Sequence, residues 1–270
     1  MTGWAEVADG VFQRRYNPLD ISICVVRGRG GLLLVDTRSS PRQGHEVLSH
    51  LREFGGDPVV AVVNTHAHFD HTFGNQVFTG VPIYGHRQVP AHLAAYEAPM
   101  LAEWMAGGEE PVEEWAEVEI TPPTVLIGQE LRIVVGDRPV DLLHLGRGHT
   151  DNDIVLHVPD ASAWIVGDLV EESGPPMYGS GCFPLEWPGT CAALASRLGT
   201  ADVVVPGHGK PVTRRFVEAQ QAQLAGVAEL ITELHTAGVP AERARDAGSG
   251  RWPLPPDGLD LAISAAYGAL

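Results

Sequence analysis

A chain of 270 residues with 44% hydrophobic and 19% charged residues can bury a substantial core, as one large α/β domain or two small ones. Its formal charge of −16 disfavours phosphate-backbone binding, which needs a basic stripe, so nucleic acid is not an expected partner. No stretch approaches the ~18 apolar residues of a membrane span, no cationic start leads into an apolar run as in a signal peptide, and Cys24, Cys182 and Cys191 suggest no disulfide framework, so a cytoplasmic protein with no membrane partner is expected.

Residues 4–35 read as strands, with Ile21, Ile23 and Val25 alternating with Ser22 and Cys24, a turn at 28–31, and a buried strand at 32–35 that ends at Asp36. Ser40-Pro41 starts a helix, Ser as cap and Pro in first position; Val47, Leu48, Leu51 and Phe54 form its apolar face and Gly55-Gly56 stops it. Val59–Val63 is a buried β-branched strand. It runs directly into Asn64-Thr65-His66-Ala67-His68-Phe69-Asp70-His71, where His66, His68, Asp70 and His71 are potential metal ligands. A rigid strand thus delivers four donors onto one short turn. His66 and His68, two apart, point the same way on extended backbone, whereas the adjacent Asp70 and His71 diverge and can serve different ions. Imidazole with carboxylate suits zinc, iron or manganese rather than calcium.

Residues 82–84 are a short strand, and 87–106 a helix kinked or broken by Pro90 and Pro99. The acidic run 109–119 reads as a solvated surface segment. Residues 124–145 give two or three strands, and 153–158 and 163–167 one each. A long irregular stretch covers 171–188, and 190–198 is helical. Val203, Val204 and Val205 make a buried strand, and Leu224, Val227, Ile231 and Leu234 mark one face of a helix over 213–236. A linker at 248–256 and a closing helix at 259–267 complete one domain, whose core is expected over 10–236.

Three further strands end in the same manner. They lead into Gly146-Arg147-Gly148-His149-Thr150, Gly167-Asp168 and Pro206-Gly207-His208-Gly209. Glycine beside each donor permits the tight turn and close backbone approach that a site at strand ends needs. A lone His after a strand is more often structural. With the first cluster, His149, Asp168 and His208 bring the total to seven, enough for two metal sites.

The order H-x-H-x-D-H, G-H-T, G-D, P-G-H-G resembles the metallo-β-lactamase fold superfamily over about residues 10–215. The resemblance implies an α/β fold, a four-layer αββα sandwich of two mixed β-sheets flanked by helices, with metals at one edge between the sheets. It implies that His66, His68 and His149 hold a first metal, that Asp70, His71 and His208 hold a second, and that Asp168 bridges them. Asp36 matches a position that supports the metal loop, although a turn or helix-cap carboxylate reads equally well. Two departures bear on the substrate. Many β-lactamases of the superfamily carry Cys or Ser where this chain has the bridging Asp168, and a large group of them carries a substrate-gripping Lys where it has Glu171, a like charge that would repel a carboxylate.

The implied chemistry is hydrolysis. Two divalent ions, zinc first and iron or manganese as alternatives, lower the pKa of a shared water from about 15.7 to near 7 and polarise a carbonyl of a small ester, thioester, lactone or amide. Asp70 is expected to orient the nucleophile and take its proton. The 171–188 loop carries Met177, Tyr178, Phe183 and Trp187 beside Asp168 and is expected to wall an apolar pocket, with Tyr178 as a donor to the oxyanion; simple packing of these aromatics is the competing reading. Tyr96, Met100, Trp104 and Met105 offer a second wall, again against core packing. Two other functions are compatible with the motifs: a mononuclear iron dioxygenase acting on persulfide-type thiols, and a non-catalytic binding scaffold. The expected partner is a small-molecule substrate, and a homodimer is possible.

Overall fold

The structure, a computed structural model, describes residues 3–270. In the N-terminal half, β1 (Ala5–Ala8), β2 (Val11–Tyr16), β3 (Ile21–Gly28), β4 (Gly31–Val35), β5 (Val59–Val63), β6 (Ile83–His86) and β7 (Val125–Ile127) pair in that order. In the C-terminal half, β8 (Glu130–Val135), β9 (Arg138–Leu143), β10 (Val155–Val158), β11 (Ala163–Glu171) and β12 (Val203–His208) do the same. Strands β4 to β7 are parallel, β8 to β11 antiparallel, and β11 and β12 parallel. Among the described residues the halves share one strand pairing, His208 of β12 opposite Ile21 of β3. The helices are α1 (Pro41–His50), α2 (Phe69–Thr72), α3 (Val89–His92), α4 (Ala98–Gly107), α5 (Val112–Trp115), α6 (Trp187–Arg197), α7 (Arg214–Thr236), α8 (Ala241–Ala247) and α9 (Leu259–Ala269).

Alternation along the strands sorts side chains into layers. Cys24, Val26, Leu33, Val35 and Val63 face Val140, Leu142, Leu156, Ile165 and Val205 of the other half. Ile23, Val25, Leu32, Leu34 and Val62 turn the opposite way, onto Val47 of α1 and Leu51 and Phe54 just after it. Beyond the second half, Trp164, Val166 and Val204 pack on Leu194 of α6 and Leu224 and Ile231 of α7. The order helix, sheet, sheet, helix explains why β3 and β4 are apolar at nearly every residue: both faces are covered. Ser40 caps α1 as expected, its hydroxyl accepting from Gln43 N at 3.2 Å.

Several elements differ from expectation. Strand β11 continues to Glu171, so Asp168 lies within it. Gly167, at φ +54°, shifts the register and lets the strand bend without ending. The acidic run is not a purely solvated segment: Trp115 of α5 is buried against Phe69 and Trp104, and the Glu114 carboxylate accepts from Ser40 Oγ and Gln43 Nε2. Pro90 and Pro99 each sit in the first turn of a helix, where a missing N–H costs little, and a π-type turn at Leu93–Glu97 joins those helices. Helix α6 begins at Trp187. After α7, residues 241–247 add α8; Ala244, Leu254, Leu259 and Ile263 join the core under α7. Among the described residues, no helix is long and apolar enough to cross a membrane.

Candidate metal centre

Asp36, at the end of β4, ties the cluster to the sheet. Its carboxylate accepts from Thr65 N and Thr65 Oγ1, both at 2.8 Å, and pairs with His71 Nδ1 at 2.8 Å. Asn64 Nδ2 donates to His71 O, and Thr72 Oγ1 donates to His68 O. The turn is thereby held from β5 on one side and α2 on the other.

All seven expected donors are buried and converge. His66 Nε2 and His149 Nε2 lie 3.1 and 2.8 Å from His68 Nδ1. Tetrahedral coordination with Zn–N bonds of 2.0–2.1 Å spaces ligand atoms at about 3.3 Å, close to this arrangement. Asp70, His71 and His208 form a second group. His208 Nε2 is 3.3 Å from Asp70 Oδ2, and His71 Nε2 is 3.6 Å from the same oxygen. Asp168 stands between the groups, its Oδ2 3.6 Å from His149 Nε2 and 3.3 Å from His208 Nε2, its Oδ1 3.3 Å from His71 Nε2. His71 Nε2, His208 Nε2 and Asp168 Oδ1 are buried without a hydrogen-bond partner. Buried polar atoms are ordinarily satisfied, so three orphans aimed at one spot fit a cation.

The two groups differ electrostatically. Burial holds His66 and His68 below the ordinary imidazole value and lowers His149 to about 3, which keeps these rings neutral, the ligand form. Burial also pulls on His71 and His208, but Asp168 and Asp70 outweigh it and raise both. For Asp168, burial is opposed and outweighed by His208, His71 and His66, which hold its carboxyl well below the usual range. This second group therefore retains a net demand for positive charge.

Two glycines set the position of Asp168. A Cβ at Gly207 would lie 1.8 Å from Asp168 Oδ1, and Gly167 presses on Thr65 with a positive φ. Backbone carbonyls orient the rings. His149 Nδ1–H donates to Met177 O at 3.0 Å, His68 Nε2–H to Ser180 O at 3.1 Å and His208 Nδ1–H to Leu19 O at 2.8 Å. The 172–186 loop thus acts on the donors through its main chain.

Tyr178 does not play the expected part. Its ring packs on Trp187 at 5.2 Å within the core, its hydroxyl is buried without a partner, and it does not line the cavity over the donors. The side chain follows the apolar body of the residue inward, and the neighbouring carbonyls reach the site instead. Trp187 is likewise core, Phe183 lies under the Arg147 guanidinium, and Trp104 packs on Phe69. Met100 and Met177 do line the cavity, which holds about 320 Å³ and also exposes Leu19, Phe69 and Ser180. Glu171 reaches it as well. Burial first, then the Asp168 charge, raises its pKa to about 8, so at neutral pH the like-charge repulsion expected of it is weakened. Among the described residues no Lys or Arg lines this cavity.

Glu97 escaped sequence reasoning. It is fully buried on the π-type turn, accepting from Phe69 N at 3.0 Å and Ser180 Oγ at 3.1 Å, with His92 Nε2 3.5 Å away. It joins the donor turn to the loop. A single Glu in a partly helical segment gives no periodic signal for this role.

The metallo-beta-lactamase superfamily model matches residues 16–208. The metallo-beta-lactamase type 2 of Bacillus cereus is 26% identical over 182 residues, covering 67% of this chain and 63% of that protein, so the match spans less than two thirds of the relative. The human acyl-coenzyme A thioesterase MBLAC2 is 29% identical over 224 residues, covering 75% of this chain and 79% of the relative. The linear primary-alkylsulfatase of Pseudomonas sp. (strain ATCC 19151) is 26% identical over 219 residues, covering 68% and 40%. In fold, the chain is similar to the inverting sec-alkylsulfatase Pisa1 from Pseudomonas sp. (TM-score 0.76, 19% identity, 99% of this chain and 50% of that one). It is also similar to a metallo-beta-lactamase from Pontibacter korlensis (TM-score 0.66, 20% identity, 82% and 97%). With the four-layer fold, the converging His and Asp donors and a family match across most of its length, this chain belongs to the metallo-beta-lactamase superfamily.

Proposed function

We propose that the chain is a binuclear metal-dependent hydrolase, with zinc as its ion, acting on a small, fairly apolar ester, thioester, lactone or amide. The observation that carries this reading is Asp168 standing between two complete donor groups, with orphaned buried atoms on it, His71 and His208. His66, His68 and His149 would hold one ion, Asp70, His71 and His208 the other, and Asp168 both. When bound, such ions polarise an electrophilic carbonyl and bring the pKa of water near 7. The protein's own residues supply the rest. Asp70 lines the cavity and can orient the attacking water and receive its proton. Leu19, Phe69, Met100 and Met177 give the cavity an apolar wall that favours an uncharged substrate. The lack of a cationic side chain in the cavity speaks against a substrate held by its carboxylate, as in β-lactam antibiotics. Relatives named for thioester and sulfate-ester hydrolysis support cleavage of an ester-like bond.

The deciding measurement is metal content by elemental mass spectrometry on wild type and Asp168→Ala, with turnover of esters, thioesters, lactones and β-lactams. About two zinc ions per chain are expected, falling in the variant, with turnover abolished by chelation. About one iron per chain, indifferent to Asp168, together with dioxygen uptake on a persulfide, would replace this reading with the dioxygenase.

A further inference from the structure

Beside the metal cavity runs a second cavity of about 500 Å³, between the 172–186 loop and the segment at 254–261. Glu171 and Met177 line both, so the two cavities lie side by side along these two residues. Its walls are aliphatic: Pro175, Pro176 and Met177 on one side, Leu254, Leu259 and Leu261 on the other. Leu254 and Leu259 are rooted in the core, while Met177 on the first wall and Leu261 on the second are 58% and 55% exposed. An exposed aliphatic side chain on each wall extends the apolar lining of the cavity to its rim, as in a groove that takes up an apolar ligand. The outer wall lies beyond the family match, which ends at residue 208.

We propose that this groove binds an unbranched aliphatic chain on the substrate, whose carbonyl then lies over the metal centre. The inference deepens the hydrolase reading and rests on it for the position of the reacting bond. The occupant follows from the walls. Among the described residues the groove offers no aromatic side chain other than Tyr178, whose hydroxyl is buried away from solvent, and no cation, so neither a stacked base nor a phosphate has a partner there. Asp257 and Asp260 at the mouth disfavour a free carboxylate, so the chain enters as a neutral ester or thioester and the acid released on cleavage is expelled. Asp260, paired with Arg245, contributes less of that field than Asp257.

The test uses the metal-loaded full chain, as wild type, Leu261→Asp and the control Val134→Asp, which places the same charge on a more exposed aliphatic residue of β8. The rate constant kcat/KM is measured for 4-nitrophenyl esters from acetyl to decanoyl. Binding of n-octanol, which has no bond to cleave, is measured by calorimetry. In wild type, kcat/KM is expected to rise about two- to fourfold per added methylene until the groove is full. In Leu261→Asp the acetyl ester should be unaffected, the decanoyl ester slowed about tenfold and octanol bound about fivefold more weakly, while Val134→Asp matches wild type. A flat chain-length profile, or identical profiles and octanol affinities in wild type and Leu261→Asp, overturns the proposal. If no ester is cleaved by metal-loaded protein, the hydrolase reading fails, and the octanol comparison alone still decides the groove.

Discussion

At the scale of single residues, the centre depends as much on what is missing as on what is present. His208 can reach its place only because Gly207 leaves room for Asp168: any Cβ there would overlap Oδ1 at 1.8 Å. Gly207→Ala should therefore push the Asp168 carboxylate away from both donor groups while all seven donors remain in the sequence. Metal content is expected to fall from about two per chain to about one or fewer, with an unchanged far-UV circular dichroism spectrum. A variant that keeps full metal content would show that the bridge tolerates displacement. Asp36 is the opposite case. It accepts two hydrogen bonds from Thr65 and fixes His71 through Nδ1, so Asp36→Ala removes an outer support, for which about 10- to 100-fold loss of metal affinity is usual.

At the scale of elements, the 172–186 loop is part of the metal site's support. Its carbonyls at Met177 and Ser180 orient His149 and His68, and Glu97 clips Ser180 to the donor turn. Loop order and metal occupancy should therefore rise and fall together. Hydrogen exchange followed by mass spectrometry is expected to show faster exchange in 172–186 after chelation than with metal bound, and faster still in Glu97→Ala. Equal exchange in all three would mean that the loop is held only by Trp187 and the core. Much of this architecture is legible in the sequence, because every donor lies at or soon after an apolar strand run, and His149, Asp168 and His208 each have glycine beside them. The strands read clearly since both of their faces are covered. The loop's role is not legible, because a carbonyl is the same at every residue, and an aromatic such as Tyr178 beside the site looks the same whether it faces the cavity or the core. Trp115 was obscured in the same way by the acidic side chains around it, and Glu97 by standing alone.

At the scale of the whole molecule, the centre straddles the seam between the two halves. His66, His68, Asp70 and His71 follow β5 in the N-terminal half; His149, Asp168 and His208 belong to the C-terminal half. Across that seam the only strand pairing among the described residues is His208 with Ile21, so strand hydrogen bonds do little to join the halves; the shared apolar layer joins them, together with separate bonds such as Ile154 N to Thr65 O and Gln13 Nε2 to Gly209 O. Ions bound by donors from both sides would cross-link the halves, and they bind the folded chain far better than the unfolded one. Free metal at about 100 times Kd adds about 2.7 kcal/mol per independent site, which for a domain of this size corresponds to a rise in Tm of about 5–11 °C. Chelation should reverse that rise. Acid should do the same, since imidazole and carboxylate donors bind metal only when deprotonated: as the pH falls, protons compete first for His71 and His208, which despite burial Asp168 and Asp70 hold above the ordinary imidazole value, and last for His66, His68 and His149, which burial holds below it. Differential scanning calorimetry with and without chelator, repeated from about pH 8 down to about pH 5, measures both effects. The difference in Tm between the two forms should shrink as the pH falls. A difference that is absent at pH 8, or that does not change with pH, would mean that the seam is held by its apolar layer alone.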